Sequence, residues 1–232
     1  MTYTVRQLNT IEDFLAIEVA PIAGSVVYRG VSNASYSLRP SIGRWQGPPD
    51  ERSNYERQLF NEFKSRAIGY VDRTPRDDWE WLFLAQHHGL PTRLLDWTSS
   101  PLIALYFALN SDNATDFAVY RAGFQSAIPS DITTFLGQDP LRVNRTCQIY
   151  PTNLHARVER QSSLFTIQPD PWTDLTDPNE IHKFVFPASA RREGLRKLHY
   201  YGVSNSLVMP GLDSLAKDIV FAKNVRLNYA AA

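Results

Sequence analysis

The sequence has little cysteine, no excess of charge and no long apolar run. Cys147 is the single cysteine among 232 residues, so we expect neither an internal disulfide nor a thiolate-built zinc site, as is typical of a reducing cytoplasm. The 24 basic and 24 acidic residues cancel, so the overall field would not hold a polyanion. No apolar run approaches the ~20 residues of a membrane span, and residues 1–10 lack a signal core. We therefore expect a cytoplasmic protein without a membrane partner.

The sequence does contain enough apolar residues for a large core, and its predicted strands and helices alternate. The chain is 43% hydrophobic and 12% aromatic, which supports a large core. β-Rich runs predict strands, and apolar residues at helical spacing predict helices. The predicted strands include residues 25–29, 117–120 and 183–187, and the predicted helices are 11–20, 51–70, 77–87, 190–201 and 214–224. These elements favour a single mixed α+β domain over residues 1–232.

Residues 84–109 are the most informative stretch, because they bring two histidines, an arginine, an aspartate and four hydroxyls to the start of an apolar helix. Pro91 and the alternation around Asp96 predict a short buried strand over residues 92–98. Ser99 or Ser100 can cap the following helix, and Pro101 suits its first position.

The turn at Thr98, Ser99 and Ser100 is a predicted binding position, since hydroxyls and free backbone N–H groups converge at the start of a helix. A plainer interpretation is that Ser99 only caps the helix and that Asp96 only anchors the turn.

Several short motifs resemble the FRG-domain family, which is named for an aromatic-Arg-Gly signature. Tyr28-Arg29-Gly30 stands at the position of that signature, and residues 84–109 resemble the family's central motif. Further similarity lies in Arg39-Pro40-Ser41-Ile42, in residues 159–166 and in Tyr201-Gly202-Val203-Ser204. The resemblance therefore extends over nearly the whole chain.

The order of these motifs is similar to that of ADP-ribosyltransferases, which implies NAD as a substrate and an ADP-ribosyltransferase-like split sheet with surrounding helices. In that comparison Arg29, Gln161 and Glu159 are the candidate catalytic residues. The candidate NAD-binding residues are Arg29, His88, Thr92, Arg93, Asp96, Thr98 and Ser99. A glutamine where a catalytic glutamate is expected leaves charge stabilisation to Glu159 or Asp96, or indicates that the fold has kept ligand binding without transfer.

The resemblance also implies a bacterial conflict system. A free cytosolic transferase would be toxic, so a toxin or an anti-phage protein with a neutralising antitoxin partner is expected. The acceptor would be a protein or an RNA.

Two other function classes remain open from the residues. One is a non-catalytic module that binds a nucleotide or a protein, in which Arg29 would be a half-buried arginine paired with a carboxylate. The other is a metal-dependent nuclease built from His87-His88, Asp96 and one of His155, His182 and His199. Neighbouring histidines on a helix point about 100° apart, which disfavours one shared ion. We therefore expect no stable metal.

Overall fold

The computed structural model describes residues 3–18, 25–111, 114–124, 138–150, 163–176 and 180–230. Seven strands within these ranges form one mixed sheet in the order β1-β7-β4-β2-β3-β6-β5. Only the β1–β7 pair is parallel among the pairings of the described strands. The strands are β1 (Thr4–Gln7), β2 (Ser25–Val31), β3 (Leu94–Thr98), β4 (Phe117–Phe124), β5 (Cys147–Ile149), β6 (Ser163–Ile167) and β7 (Glu180–Phe186).

Seven α-helices accompany the sheet in the part of the chain that the structure describes. They are α1 (Ile11–Glu18), α2 (Arg52–Ala67), α3 (Asp78–His87), α4 (Pro101–Leu109), α5 (Ala190–Tyr200), α6 (Asn205–Val208) and α7 (Leu212–Ala230). The predicted α+β class is confirmed. The finer expectation of an ADP-ribosyltransferase-like arrangement stays a prediction.

The predicted strand, turn and helix in the central motif are present. The strand β3 is two residues shorter at its start than predicted, and its side chains are buried except for Asp96. Ser100, rather than Ser99, caps α4, because its side chain accepts a hydrogen bond from the backbone N–H of Ile103. Pro101 follows at the first helical position, where its missing N–H has no intrahelical acceptor to lose.

Three apolar clusters hold these elements together. The first joins α1, α4 and α5 to β2, β4 and β7, with Phe14 and Phe184 at its centre. The second packs α2 and α3 against β3, β5 and β6 through Phe83 and Phe165. The third joins Leu95 and Trp97 of β3 to β2, β4, β6 and β7. The sheet therefore has apolar cover from β7 to β5.

The sheet narrows to one residue pair between β2 and β3. Tyr28 is paired with Thr98, whereas β2 matches β4 over seven residues and β3 matches β6 over five. Residues 29–32 continue beyond that pair and face Asp96 and Trp97 across an open space. This separation of β2 from β3 positions the candidate site.

No described helix has both the length and the apolar character that a membrane crossing requires.

Candidate functional site

A cleft of about 460 Å³ lies where β2 and β3 separate. It is lined by β2, the end of β3, the tip of α3, α4 and the loop between β2 and α2. Clefts of this size are typical of sites for small molecules and cofactors. The structure therefore brings the Tyr28-Arg29-Gly30 signature and part of the central motif to a shared space.

Arg29 spans the gap between the two strands. Its Nη1 donates to the main-chain oxygen of Asp96 at 2.7 Å and approaches the Asp96 carboxylate at 3.4 Å. The Arg29 side chain is 18% exposed and that of Asp96 is 53% exposed. The buried Nε of Arg29 has no hydrogen-bond partner among the described residues. Arg29 is thus a half-buried arginine paired with a carboxylate, and it keeps one donor free.

The neighbours of Arg29 in the signature are needed for packing. Tyr28 is buried against Phe14, with their ring centroids 6.1 Å apart. A Cβ on Gly30 would lie 1.9 Å from the main-chain oxygen of Ala104, a separation that no side chain tolerates. The signature therefore combines a core aromatic, a cleft arginine and a glycine that lets α4 approach β2.

Asp96 is held from two sides. Besides Arg29, the Nε2 of Gln86 donates to its carboxylate at 2.7 Å. The Oε1 of Gln86 accepts a 2.5 Å hydrogen bond from the buried hydroxyl of Thr92. Thr92 therefore orients Gln86, which orients Asp96, and the carboxylate is fixed at the wall of the cleft.

A second guanidinium, that of Arg44, lines the same cleft. Its Cζ lies 5.5 Å from the ring centroid of Tyr36, a cation–π distance. Arg44 makes no ion pair within the part of the chain that the structure describes. Loss of surrounding water lowers the pKa of Arg44, and the neighbouring charge of Arg29 lowers it further. The cleft thus carries two guanidinium groups against one carboxylate, an arrangement that attracts anions.

Four of the candidate NAD-binding residues do not line the cleft. Arg93 is buried and forms a two-bond ion pair with Glu56 at 2.6 and 2.8 Å. Thr92 is buried beneath Gln86. His88 faces a different groove, between α2 and α3, and Ser99 is exposed beside the helix cap. Arg29, Asp96 and Thr98 do line the cleft.

The candidate catalytic residues Glu159 and Gln161 lie outside the described residues, as does His155. Ser163, which follows Gln161 by two positions, lines the cleft and is paired with Thr98.

The histidines do not assemble into a metal centre among the described residues, where no group of three or more His, Cys, Asp or Glu could hold an ion. The rings of His87 and His88 are 5.2 Å apart and nearly perpendicular. His182 pairs with Glu180 and stacks on Phe184, while His199 packs against Phe221.

Two further family-like segments have packing roles. Ser41 exchanges hydrogen bonds with the backbone of Thr92, and Ile42 donates to the same residue from its main chain. Gly202 adopts a φ of +84° as α5 ends, and Ser204 caps α6. A residue other than glycine would be strained at Gly202. Of the two, the segment with Ser41 is connected to the cleft, because it holds Thr92, whose hydroxyl orients Gln86.

Sequence reasoning missed part of the cleft lining: Ser32, Tyr36, Arg44, Gln86, His87, Gly89, Phe107 and Ser163. Gln86 and His87 could have been included among the predicted site residues, because they belong to the polar start of the central motif. Which side of the last turn of α3 faces the cleft depends on tertiary packing, and sequence spacing does not give it. Arg44 follows a loop whose fold no local pattern specifies.

Comparisons with known proteins identify one family. A family model described as FRG domain matches residues 24–116. Neither the curated proteins nor the solved structures gave a match. The matched segment contains the signature arginine, the Arg44 loop and the strand-to-helix turn of the cleft. Residues 24–116 of the chain therefore match the FRG-domain family.

Proposed function

We propose that this protein is an NAD-dependent ADP-ribosyltransferase that binds NAD in the cleft between β2 and β3. The observation that carries the proposal is the meeting of Arg29, Arg44 and Asp96 in one ligand-sized cleft. The order of motifs along the chain is a second, independent support.

The residues fit the charge of a dinucleotide. Guanidinium groups bind phosphates through parallel N–H donors, and a pyrophosphate carries two negative charges. Arg29 is paired with Asp96, whereas Arg44 lines the cleft and has no carboxylate partner among the described residues. The two arginines and Asp96 together leave the cleft with a net positive charge.

The rest of the lining suits the uncharged parts of NAD. Tyr36 and Phe107 supply aromatic surface against which a flat base can stack. Thr98, Ser163 and Gln86 supply hydroxyl and amide groups for ribose hydroxyls. Such a mixture of apolar walls and a few polar groups is typical of cofactor sites.

When bound, NAD supplies an activated glycosidic bond: nicotinamide leaves with the bonding electron pair, and a nucleophile of the acceptor bonds to the ribose C1′ and loses its proton. Asp96, fixed by Gln86 and Arg29, contributes a carboxylate beside the developing positive charge. Glu159 and Gln161 orient the ribose 2′-hydroxyl and the acceptor in this proposal.

One observation favours nucleotide binding without transfer as a second candidate. The Asp96 carboxylate already accepts hydrogen bonds from Gln86 and Arg29, which reduces its capacity to stabilise a further cation. In that case the cleft would hold a nucleotide as a signal. The enzyme and the binding module differ in one measurable respect, the release of nicotinamide.

The setting of the activity is part of the proposal. The match to the FRG-domain family favours a bacterial conflict system, either a toxin or an anti-phage protein, acting in the cytoplasm. A transferase of this kind would be kept inactive by a neutralising partner until it is needed.

Incubation with NAD labelled in its adenylate part, in the presence of cell extract, tests the proposal. Label should appear in a macromolecular fraction, and nicotinamide should be released in equal amount. The Arg29→Ala variant should lose both products, whereas Arg142→Ala, at a 79% exposed arginine away from the cleft, should retain them. NAD binding without nicotinamide release would favour the second candidate.

A further inference from the structure

A group of arginine and aromatic side chains continues outward from the cleft. We call it the arginine–aromatic surface; it consists of Tyr36, Arg44, Trp45, Arg52, Tyr55 and Trp172. Tyr36 and Arg44 also line the cleft, so the surface begins where the candidate NAD site ends. It extends over the loop before α2, the first turn of α2 and the loop after β6.

The rings and guanidinium groups of this surface form two contact groups. Trp45 stacks on Tyr55 with centroids 4.1 Å apart and planes 9° from parallel, and Trp172 lies 6.2 Å from Trp45. The Cζ of Arg52 lies 5.2 Å from the Trp172 ring centroid, as Arg44 lies over Tyr36. Arg44 and Trp45 are neighbours in sequence, so the group at the cleft and the group that contains Arg52 adjoin along the chain.

Close backbone packing fixes this surface before any ligand arrives. A Cβ on Gly43 would lie 2.0 Å from the main-chain oxygen of Pro171, and a Cβ on Gly47 would lie 1.9 Å from the Trp45 ring. The loop before α2 is thus seated directly on the loop that carries Trp172. A preformed surface loses little conformational freedom when it binds a partner.

The positive charges of the surface are not neutralised by the protein. Arg39, nearby, pairs with Asp174 at 3.0 Å. Within the described ranges neither Arg44 nor Arg52 makes an ion pair, and the buried Nε of Arg52 has no hydrogen-bond partner. Asp50 and Glu51 are exposed at the start of α2, where the helix dipole favours them.

We propose that the arginine–aromatic surface binds single-stranded nucleic acid and presents it to the cleft as the acceptor. Unpaired bases stack on aromatic rings and on guanidinium planes, and arginines hold the phosphates between them. A folded protein acceptor would offer no repeated phosphates for two unpaired arginines. Because the chain has no net charge, this local surface would have to supply the attraction.

The role of the nucleic acid as acceptor rests on the proposed transferase function, but the binding of nucleic acid is measurable without NAD. Fluorescence anisotropy distinguishes RNA, single-stranded DNA and duplex as ligands. The probes are a labelled 20-nucleotide RNA, the same sequence as DNA, and the corresponding duplex. We expect the protein to bind one or both single strands at low salt and the duplex at least about tenfold more weakly, with affinity falling as salt rises.

The decisive variant is Arg44→Gln/Arg52→Gln. Its control is Arg66→Gln/Arg142→Gln, which removes the same number of charges at two arginines outside the arginine–aromatic surface, whose side chains are 78% and 79% exposed. The first pair of substitutions should weaken single-strand binding at least about tenfold, and the second should change it less than about twofold. Thermal melting confirms that both variants fold, and Arg52→Gln alone serves if the double variant does not.

Each outcome decides the proposal. No single-strand binding by the wild-type protein at low salt, or equal losses in both double variants, would overturn it; a protein acceptor would then be favoured if label from NAD enters protein. Single-strand binding without nicotinamide release would retain the nucleic-acid surface and reject the transferase.

Discussion

The α-carbon of Gly30 lies directly under the main-chain oxygen of Ala104, and a Cβ there would come within 1.9 Å of it. This contact seats α4 on β2 and so fixes the strand-to-helix turn beside Arg29. The glycine of the family signature is therefore explained by packing, while the arginine before it faces the cleft.

Gly30→Ala should destabilise the protein by about 1–3 kcal/mol or more, because α4 must move away from β2 to make room. The matched control is Gly69→Ala, where nothing lies within 4 Å of the added Cβ. Urea denaturation of both variants measures the free energy of unfolding. Equal stabilities would contradict the close approach of Gly30 and Ala104.

Arg93 is expected to be structural, because its guanidinium and the Glu56 carboxylate are both only 5% exposed. Arg93→Ala leaves a buried carboxylate without its partner, so it should cost about 3–5 kcal/mol of stability. Arg66→Ala, at an exposed pair with Glu62, should cost less than about 1 kcal/mol. An Arg93→Ala protein that melts with the wild type but fails to bind NAD would return Arg93 to the candidate site.

Asp218 should make stability fall in acid. Burial of its carboxyl raises the pKa, but hydrogen bonds from Ser206 and Asn205 outweigh that effect and lower the pKa of Asp218 to about 2. The unfolded value is about 3.9, so the stabilisation is present above that pH and is lost as pH falls towards 2. Asp218→Asn should therefore be less stable than wild type at pH 6, with a smaller difference at pH 3. A difference that stays constant between these pH values, measured by urea denaturation, would argue against this assignment.

Gln161→Ala should lower turnover strongly with little loss of NAD affinity, since its proposed action is on the transition state. Glu159→Gln should behave in the same way if it supplies the charge that an amide lacks. Nicotinamide release reports turnover and calorimetry reports binding. Unchanged turnover in both variants would remove this segment from the chemistry.

Much of the fold was accessible from the sequence, because long apolar periodicities and caps act locally. The strand at Leu94–Thr98 and the helix from Pro101 follow from such signals. Strand β1 was not predicted. Its four side chains are all exposed, so the sequence has no apolar alternation there, and its partner β7 is distant along the chain.

The candidate site was less accessible, because strand phase and tertiary partners decide it. Arg93 and Asp96 stand three residues apart in one strand segment, yet one is buried against Glu56 and the other faces the cleft. Arg44 reaches the cleft from a loop, and no spacing rule connects it with Arg29.

Calorimetric titration with NAD measures directly whether the cleft of Arg29 and Arg44 binds this dinucleotide. Wild-type protein should bind NAD and ADP-ribose, and should bind nicotinamide riboside, which lacks the pyrophosphate, far more weakly. Arg29→Ala should weaken NAD binding about tenfold or more, the loss typical of a charged hydrogen bond, with a melting temperature close to that of wild type. Absence of NAD binding at millimolar concentration, or an Arg29→Ala variant that binds NAD as well as wild type, would contradict the account.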